Sequence, residues 1–196
     1  MVGLRAVPPS SDARPELREV PDVVAPGLRV LFVGINPGLA SAEAGHHFAT
    51  RTNPFWRLLH AAGLTPELLR PSEGERLLDL GLGITNVCPR PTRSAAELSR
   101  DELREGAAAL REKAALLRPA VVALVGVSLY PRVVPGGREP GPGAKRATLS
   151  GARLFVLPNP SGLNASYPGF ESKLVWFRRL RSSLERGGGR AGAGGP

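Results

Sequence analysis

Apolar positions along the chain fall into short blocks cut off by glycine and proline, with helix-spaced segments between them. Val30 to Val33 form a nearly continuous, β-branched apolar run that reads as a buried strand, and Gly34, Pro37 and Gly38 end it abruptly. Ile84 to Cys88, Val121 to Val125 and Leu154 to Leu157 read the same way. Between them Asn53 is placed to cap a helix whose first residue is Pro54. Phe55, Trp56, Leu58, Leu59 and Ala62 would form its apolar face and Gly63 its end, so Trp56 reads as core. Ser72 to Leu80 forms a second helical segment. Ser99 and Glu102 have capping-box spacing for a long helix to about Leu117, where Arg118-Pro119 stops it. A closing helix runs from beyond Pro168 to about Leu184. Strands alternating with helices predict an α/β fold: a three-layer α/β/α sandwich with a short, mainly parallel central sheet of about four strands and right-handed crossovers.

The breakers also divide the chain. Pro8, Pro9, Pro15, Pro21 and Pro26 predict that residues 1–26 are a poorly ordered arm. Residues 27–186 then form a single domain, and 187–196 a disordered Gly-rich tail. Residues 135–146 are rich enough in Gly and Pro to be expected as a mobile loop, with Arg138, Lys145 and Arg146 facing phosphate or water. No internal repeat is visible.

Composition narrows the classes. At 196 residues and 42% hydrophobic content the chain can bury a proper core. The formal charge of +9, from 26 Lys and Arg against 17 Asp and Glu, favours a polyanionic partner. A biased genome would also enrich Arg, Ala and Gly, so charge alone does not decide. The single Cys88 excludes an intrachain disulfide framework and a thiolate cluster, which fits a reducing cytosol. No metal and no cofactor is expected. The absence of a bilayer-length apolar run and of a signal peptide predicts no membrane partner and a cytoplasmic location.

Chemistry concentrates after the first strand. In an open α/β sheet ligands sit beyond the carboxyl ends of the strands, which puts Asn36 at the mouth of a site on a rigid turn. Gly34-Ile-Asn-Pro-Gly38 also suits a plain strand-ending turn. An amide does not titrate near neutral pH, so Asn36 can hold a water but cannot take its proton. Holding suffices if the leaving group departs, as an anion, largely before the water attacks. The departing anion then needs fixed donors. Backbone N–H groups around Ile35 and Gly38 are candidates, and His46 and His47 add imidazoles, although the pair also suits a solvated loop.

The loop continues Leu39-Ala-Ser-Ala-Glu-Ala-Gly-His-His-Phe48, then Thr52-Asn-Pro-Phe-Trp56, and a second Asn-Pro turn follows at Leu157-Pro-Asn-Pro-Ser-Gly-Leu163. In this order, from about Pro26 to about Leu180, the chain resembles the mismatch-specific uracil/thymine DNA glycosylases of the uracil-DNA glycosylase superfamily. The resemblance implies that Asn36 holds the attacking water, and that His47 has a catalytic part with His46 beside it. It implies that Phe48 stacks on an extruded pyrimidine and that Asn86 reads the pyrimidine edge. Asn159, Pro160, Ser161, Gly162 and Leu163 would meet DNA, with Leu163 as the wedge that fills the vacated stack. Relatives with Asp in place of Asn activate water more strongly, so modest turnover is expected. Two departures stand out: Ala165 where bacterial members often have Arg, and Pro89 where an acidic residue precedes Arg90.

The expected function is therefore a monofunctional glycosylase, acting as a monomer on double-stranded DNA. It would release uracil opposite guanine and leave an abasic site; whether thymine or modified cytosine is also released turns on the room that the pocket near Phe48 and Asn86 leaves for a methyl group. No Lys lies in either motif to act as a lyase nucleophile. A broad uracil glycosylase active also on single strands, and a non-catalytic DNA-damage binding module, remain as alternatives.

Overall fold

The computed structural model describes residues 18–161 and 165–188. Five strands, β1 (Val30–Gly34), β2 (Leu82–Asn86), β3 (Val121–Val125), β4 (Gly143–Leu149) and β5 (Ala152–Leu157), form one sheet in the order β2-β1-β3-β5-β4. The helices are α1 (Leu39–Ala44), α2 (Phe55–Ala61), α3 (Arg100–Leu117), α4 (Tyr130–Val133) and α5 (Glu171–Gly188). All sheet pairings are parallel except β4 with β5.

Strand alternation divides the core into two layers. Val30, Phe32, Ala123, Val125, Phe155 and Leu157 point to one face, where Phe55, Leu58 and Leu59 of α2 and Phe177 and Leu180 of α5 meet them. Leu31, Val33, Val122, Leu124, Leu154 and Val156 point to the other, against Leu110, Ala114 and Leu117 of α3 and Tyr130 and Val133 of α4. Both faces of the sheet are covered, so every residue of β1 and β3 is buried. This is the α/β/α sandwich read from the pattern, with Trp56 in the core as expected.

The Ser99–Glu102 capping box starts α3, and Asn53 Oδ1 accepts the Phe55 N–H at 3.0 Å at the start of α2. The segment expected as helix over 72–80 is a 3₁₀ run, Pro71–Leu80.

The sheet gains a fifth strand where residues 135–146 were expected to be a loop. Residues from Gly143 onward pair antiparallel with β5 as the edge strand, with a register irregularity between Ala144 and Thr148. Its alternating half-buried and exposed positions need only one partner, and flanking breakers conceal them in the sequence.

The proline-rich arm also needs correction over its described part. Val23 exchanges backbone hydrogen bonds with Ile84, N to O at 2.9 Å and O to N at 2.8 Å, and Val20 is buried. Pro21 and Pro26 do not prevent this, because a short antiparallel bridge asks hydrogen bonds of Val23 alone. Residues 1–17 and 189–196 lie outside the described residues.

The topology places the site. β1, β2, β3 and β5 all end at one edge of the sheet, at Gly34, Asn86, Val125 and Leu157. β2 lies on one side of β1 and β3 on the other, so the chain switches sides around β1 and opens a crevice at its carboxyl end.

Candidate active site

A cleft of about 810 Å³ opens at this edge. Ile35, Asn36 and Gly38 line it from the β1 exit, Thr92 and Arg93 from the β2 exit, and Asn159 and Ser161 from the β5 exit. The first and second Asn-Pro turns, more than a hundred positions apart in sequence, therefore face one cavity.

Asn36 is half-buried and its amide nitrogen is fully engaged. Nδ2 donates to the Arg90 carbonyl at 2.9 Å and to Thr92 Oγ1 at 2.7 Å, with a longer contact to its neighbour's carbonyl, Pro37 O, at 3.2 Å. The amide protons are thereby committed to the loop after β2, which leaves Oδ1 to accept from a ligand. That loop is itself fastened. Thr92, only 3% exposed, donates its hydroxyl to Ser94 O at 2.9 Å, and its N–H to Pro37 O at 3.1 Å. Arg90 Nε meets Glu102 Oε1 at 2.6 Å, and Nη2 reaches Glu97 O at 3.0 Å. The Arg90 guanidinium, together with the Ser99 N–H, holds the Glu102 carboxyl down at about 2.

A second group gathers around Gly34, and its members Asn86, Phe48 and His47 do not line the cleft of Asn36; Asn86 lines a separate cavity of about 420 Å³ with Val20, Pro21, Asp22 and Lys113. An added Cβ on Gly34 would sit 2.4 Å from Asn86 Oδ1 and 3.7 Å from Phe48 Cζ, so Gly34, Asn86 and Phe48 converge. Phe48 has φ +52°, and its ring stacks on Phe55 with centroids 3.9 Å apart, which fixes its plane. His47 is 5% exposed. Its Nε2 lies 2.9 Å from Pro21 O and its Nδ1 3.4 Å from Asn86 Nδ2. Burial pushes the imidazole below its usual pKa of 6.5, against the opposing effect of the Pro21 hydrogen bond and of Asp22. In the neutral form Nε2–H donates to the Pro21 carbonyl, and Nδ1 accepts from Asn86.

The Pro21 segment is anchored in turn. Thr85 Oγ1 donates to Asp22 Oδ1 at 2.6 Å, and Lys113 Nζ donates to Thr85 Oγ1 at 2.9 Å and also to Asp22 Oδ2.

Not every expected site residue joins these groups. His46 joins neither: it lines a separate cavity of about 250 Å³ with Pro21, Trp56 and Pro71, which His47 also lines, and not the cleft of Asn36. Asn159 Oδ1 accepts the Ser161 N–H at 2.9 Å in a tight turn, and Pro160 is buried. Gly162 and Leu163 lie outside the described residues. Gly34, Thr92, Arg90 and Pro21 were missed as site residues in the sequence. The available signal was positional, since Thr92 is a polar residue in the loop that follows β2 at the same sheet edge. Among the described residues no group of three His, Cys, Asp or Glu could hold a metal ion, and no helix is long and apolar enough to cross a membrane.

Two comparisons bear on this arrangement. The family model described as the uracil DNA glycosylase superfamily matches residues 21–181. A candidate uracil DNA glycosylase from Methanosarcina acetivorans, solved by solution NMR, shares the fold with a TM-score of 0.56 at 21% identity, over 84% of this chain and 98% of that one.

Proposed function

The chain belongs to the uracil DNA glycosylase superfamily, and from that membership we propose that it is a monofunctional, monomeric glycosylase that hydrolyses the N-glycosidic bond of uracil mispaired with guanine in duplex DNA. The observation that carries this reading is the tethering of Asn36: both amide protons are spent on Arg90 O and Thr92 Oγ1, so the free Oδ1 is a fixed acceptor for one proton of a water. Asn36 takes no proton. The C1′–N1 bond breaks first, uracil leaves as its N1 anion, and the held water attacks the oxocarbenium-like sugar and loses its proton to solvent. The gain comes from positioning and from preorganised donors.

Recognition is assigned to the Gly34, Asn86 and Phe48 group. With one Nδ2 proton on His47, Asn86 has Oδ1 to accept the pyrimidine N3–H and a second proton to donate to O4. The Phe48 ring is the surface on which an extruded base stacks. His47 acts here as a positioning residue for Asn86, because both its ring nitrogens are engaged within the protein. Leu163 is the wedge by its place in the sequence segment that begins at Asn159, of which Asn159 and Ser161 line the cleft of Asn36. The product is an abasic site that enters base excision repair, in the cytoplasm.

The test is base release from duplexes carrying uracil, thymine or a modified cytosine opposite guanine, beside uracil in a single strand, at stated salt. Release from the G·U duplex above all others is expected. Asn36→Ala should lower that release by at least about 10²-fold while duplex binding persists. Equal release by wild type and variant would overturn the assignment, and equal release from the single strand would replace mismatch selectivity with broad uracil excision.

A further inference from the structure

Away from the cleft, a groove of about 430 Å³ runs between α3, α4 and the 3₁₀ turn Ala95–Glu97. Leu98, Leu103, Ala107 and Pro135 make it apolar inside, while Arg100, Arg104, Arg111 and Arg132 also line it, and no carboxylate is among its lining residues. Arg111 is oriented by a 3.2 Å hydrogen bond to Val133 O. Arg104 has one exposed partner, Asp101, at 2.7 Å, a pair that contributes little. Arg100 and Arg132 are exposed and make no ion pair among the described residues.

We propose that this groove receives an acidic peptide segment of a partner protein, with an apolar side chain seated on Leu98, Leu103 and Ala107 and flanking carboxylates paired with Arg100 and Arg132. Two features of the groove select this occupant. Arginines beside an apolar floor complement a ligand that joins carboxylates to a hydrophobic anchor, the mode in which arginine clusters take acidic motifs. A nucleic-acid backbone would meet the guanidinium groups but leave the floor unused, since its phosphates offer it no apolar surface. The groove adjoins the active cleft through Ala95, which lines both, so a partner held there would stay beside an enzyme engaged on DNA.

The experiment pans a random displayed-peptide library against the full chain and, in parallel, against the Arg100→Glu/Arg132→Glu double variant. Wild type is expected to enrich peptides that combine Asp or Glu with Phe, Leu, Met or Trp, and the variant is expected not to. A fluorescein-labelled synthetic copy of an enriched peptide should bind in an anisotropy titration, and bind at least about tenfold more weakly to the double variant. The same loss should follow when its Asp and Glu are replaced by Asn and Gln. Uracil release and melting temperature should be unchanged, and Arg132→Ala serves in place of the double variant should that fail to fold. No enrichment, enrichment without acidic residues, or equal binding to the variant would overturn the proposal. A parallel loss of duplex binding would also overturn it, and would make the groove a DNA track.

Discussion

Thr92 has one hydroxyl proton, and the Ser94 carbonyl takes it, so the oxygen faces Asn36 as an acceptor. Thr92→Val keeps the shape and removes that acceptor, leaving one amide proton of Asn36 without its partner. With a net hydrogen bond worth about 0.5–1.5 kcal/mol, kcat for uracil release should fall by up to about tenfold at nearly unchanged KM, and Thr92→Ser should restore it. His47 gives a pH signature. Burial depresses its pKa in the folded state, so below about 6.5 the unfolded chain binds the proton more readily than the folded one. Stability is therefore expected to decline as pH falls through 6.5 toward the lower folded value, and His47→Gln should flatten that part of a urea-midpoint-against-pH profile. The place of Asn36 in the cleft was legible in the sequence because it stands two positions after the strand-ending Gly34, in a turn stiffened by Pro37. Thr92 was not, because the residue it serves lies 56 positions away.

Among the elements, legibility followed how completely each was buried. β1 and β3 have neighbours on both edges and layers on both faces, so their apolar runs are continuous and plain. The start of α3 announces itself through Ser99 and Glu102, since the capping box is a local interaction. β4 hides among glycines and prolines because one edge and half its side chains stay exposed. Inside α3, Gly106 marks where the helix approaches the exit of β2. A Cβ there would meet the Val87 carbonyl oxygen at 2.3 Å, a contact with backbone that cannot swing aside. Alanine in a helix interior ordinarily gains up to about 1 kcal/mol over glycine. Here overpacking of about 1–3 kcal/mol opposes it, and contact with a carbonyl favours the upper part of that range. Gly106→Ala is expected to lower stability by about 1–2 kcal/mol in chemical denaturation. It should also weaken uracil release, because Asn86 precedes the displaced Val87.

For the molecule as a whole, chemistry gathers at one edge of the sheet and the two apolar layers hold that edge in place. Residues 18–26 belong to this arrangement even though the prolines suggested a poorly ordered arm. Pro21 supplies the acceptor for His47, and Asp22 ties Thr85 to Lys113. The boundary written in the proline spacing is thus not the physical one. Removal of residues 1–17 should leave uracil release intact, whereas a chain trimmed to begin at Gly27 should keep its sheet by circular dichroism yet discriminate uracil from cytosine less sharply. Such a shortened protein would be well formed but poorly sighted, its reading amide free to turn over with nothing behind the imidazole to hold it.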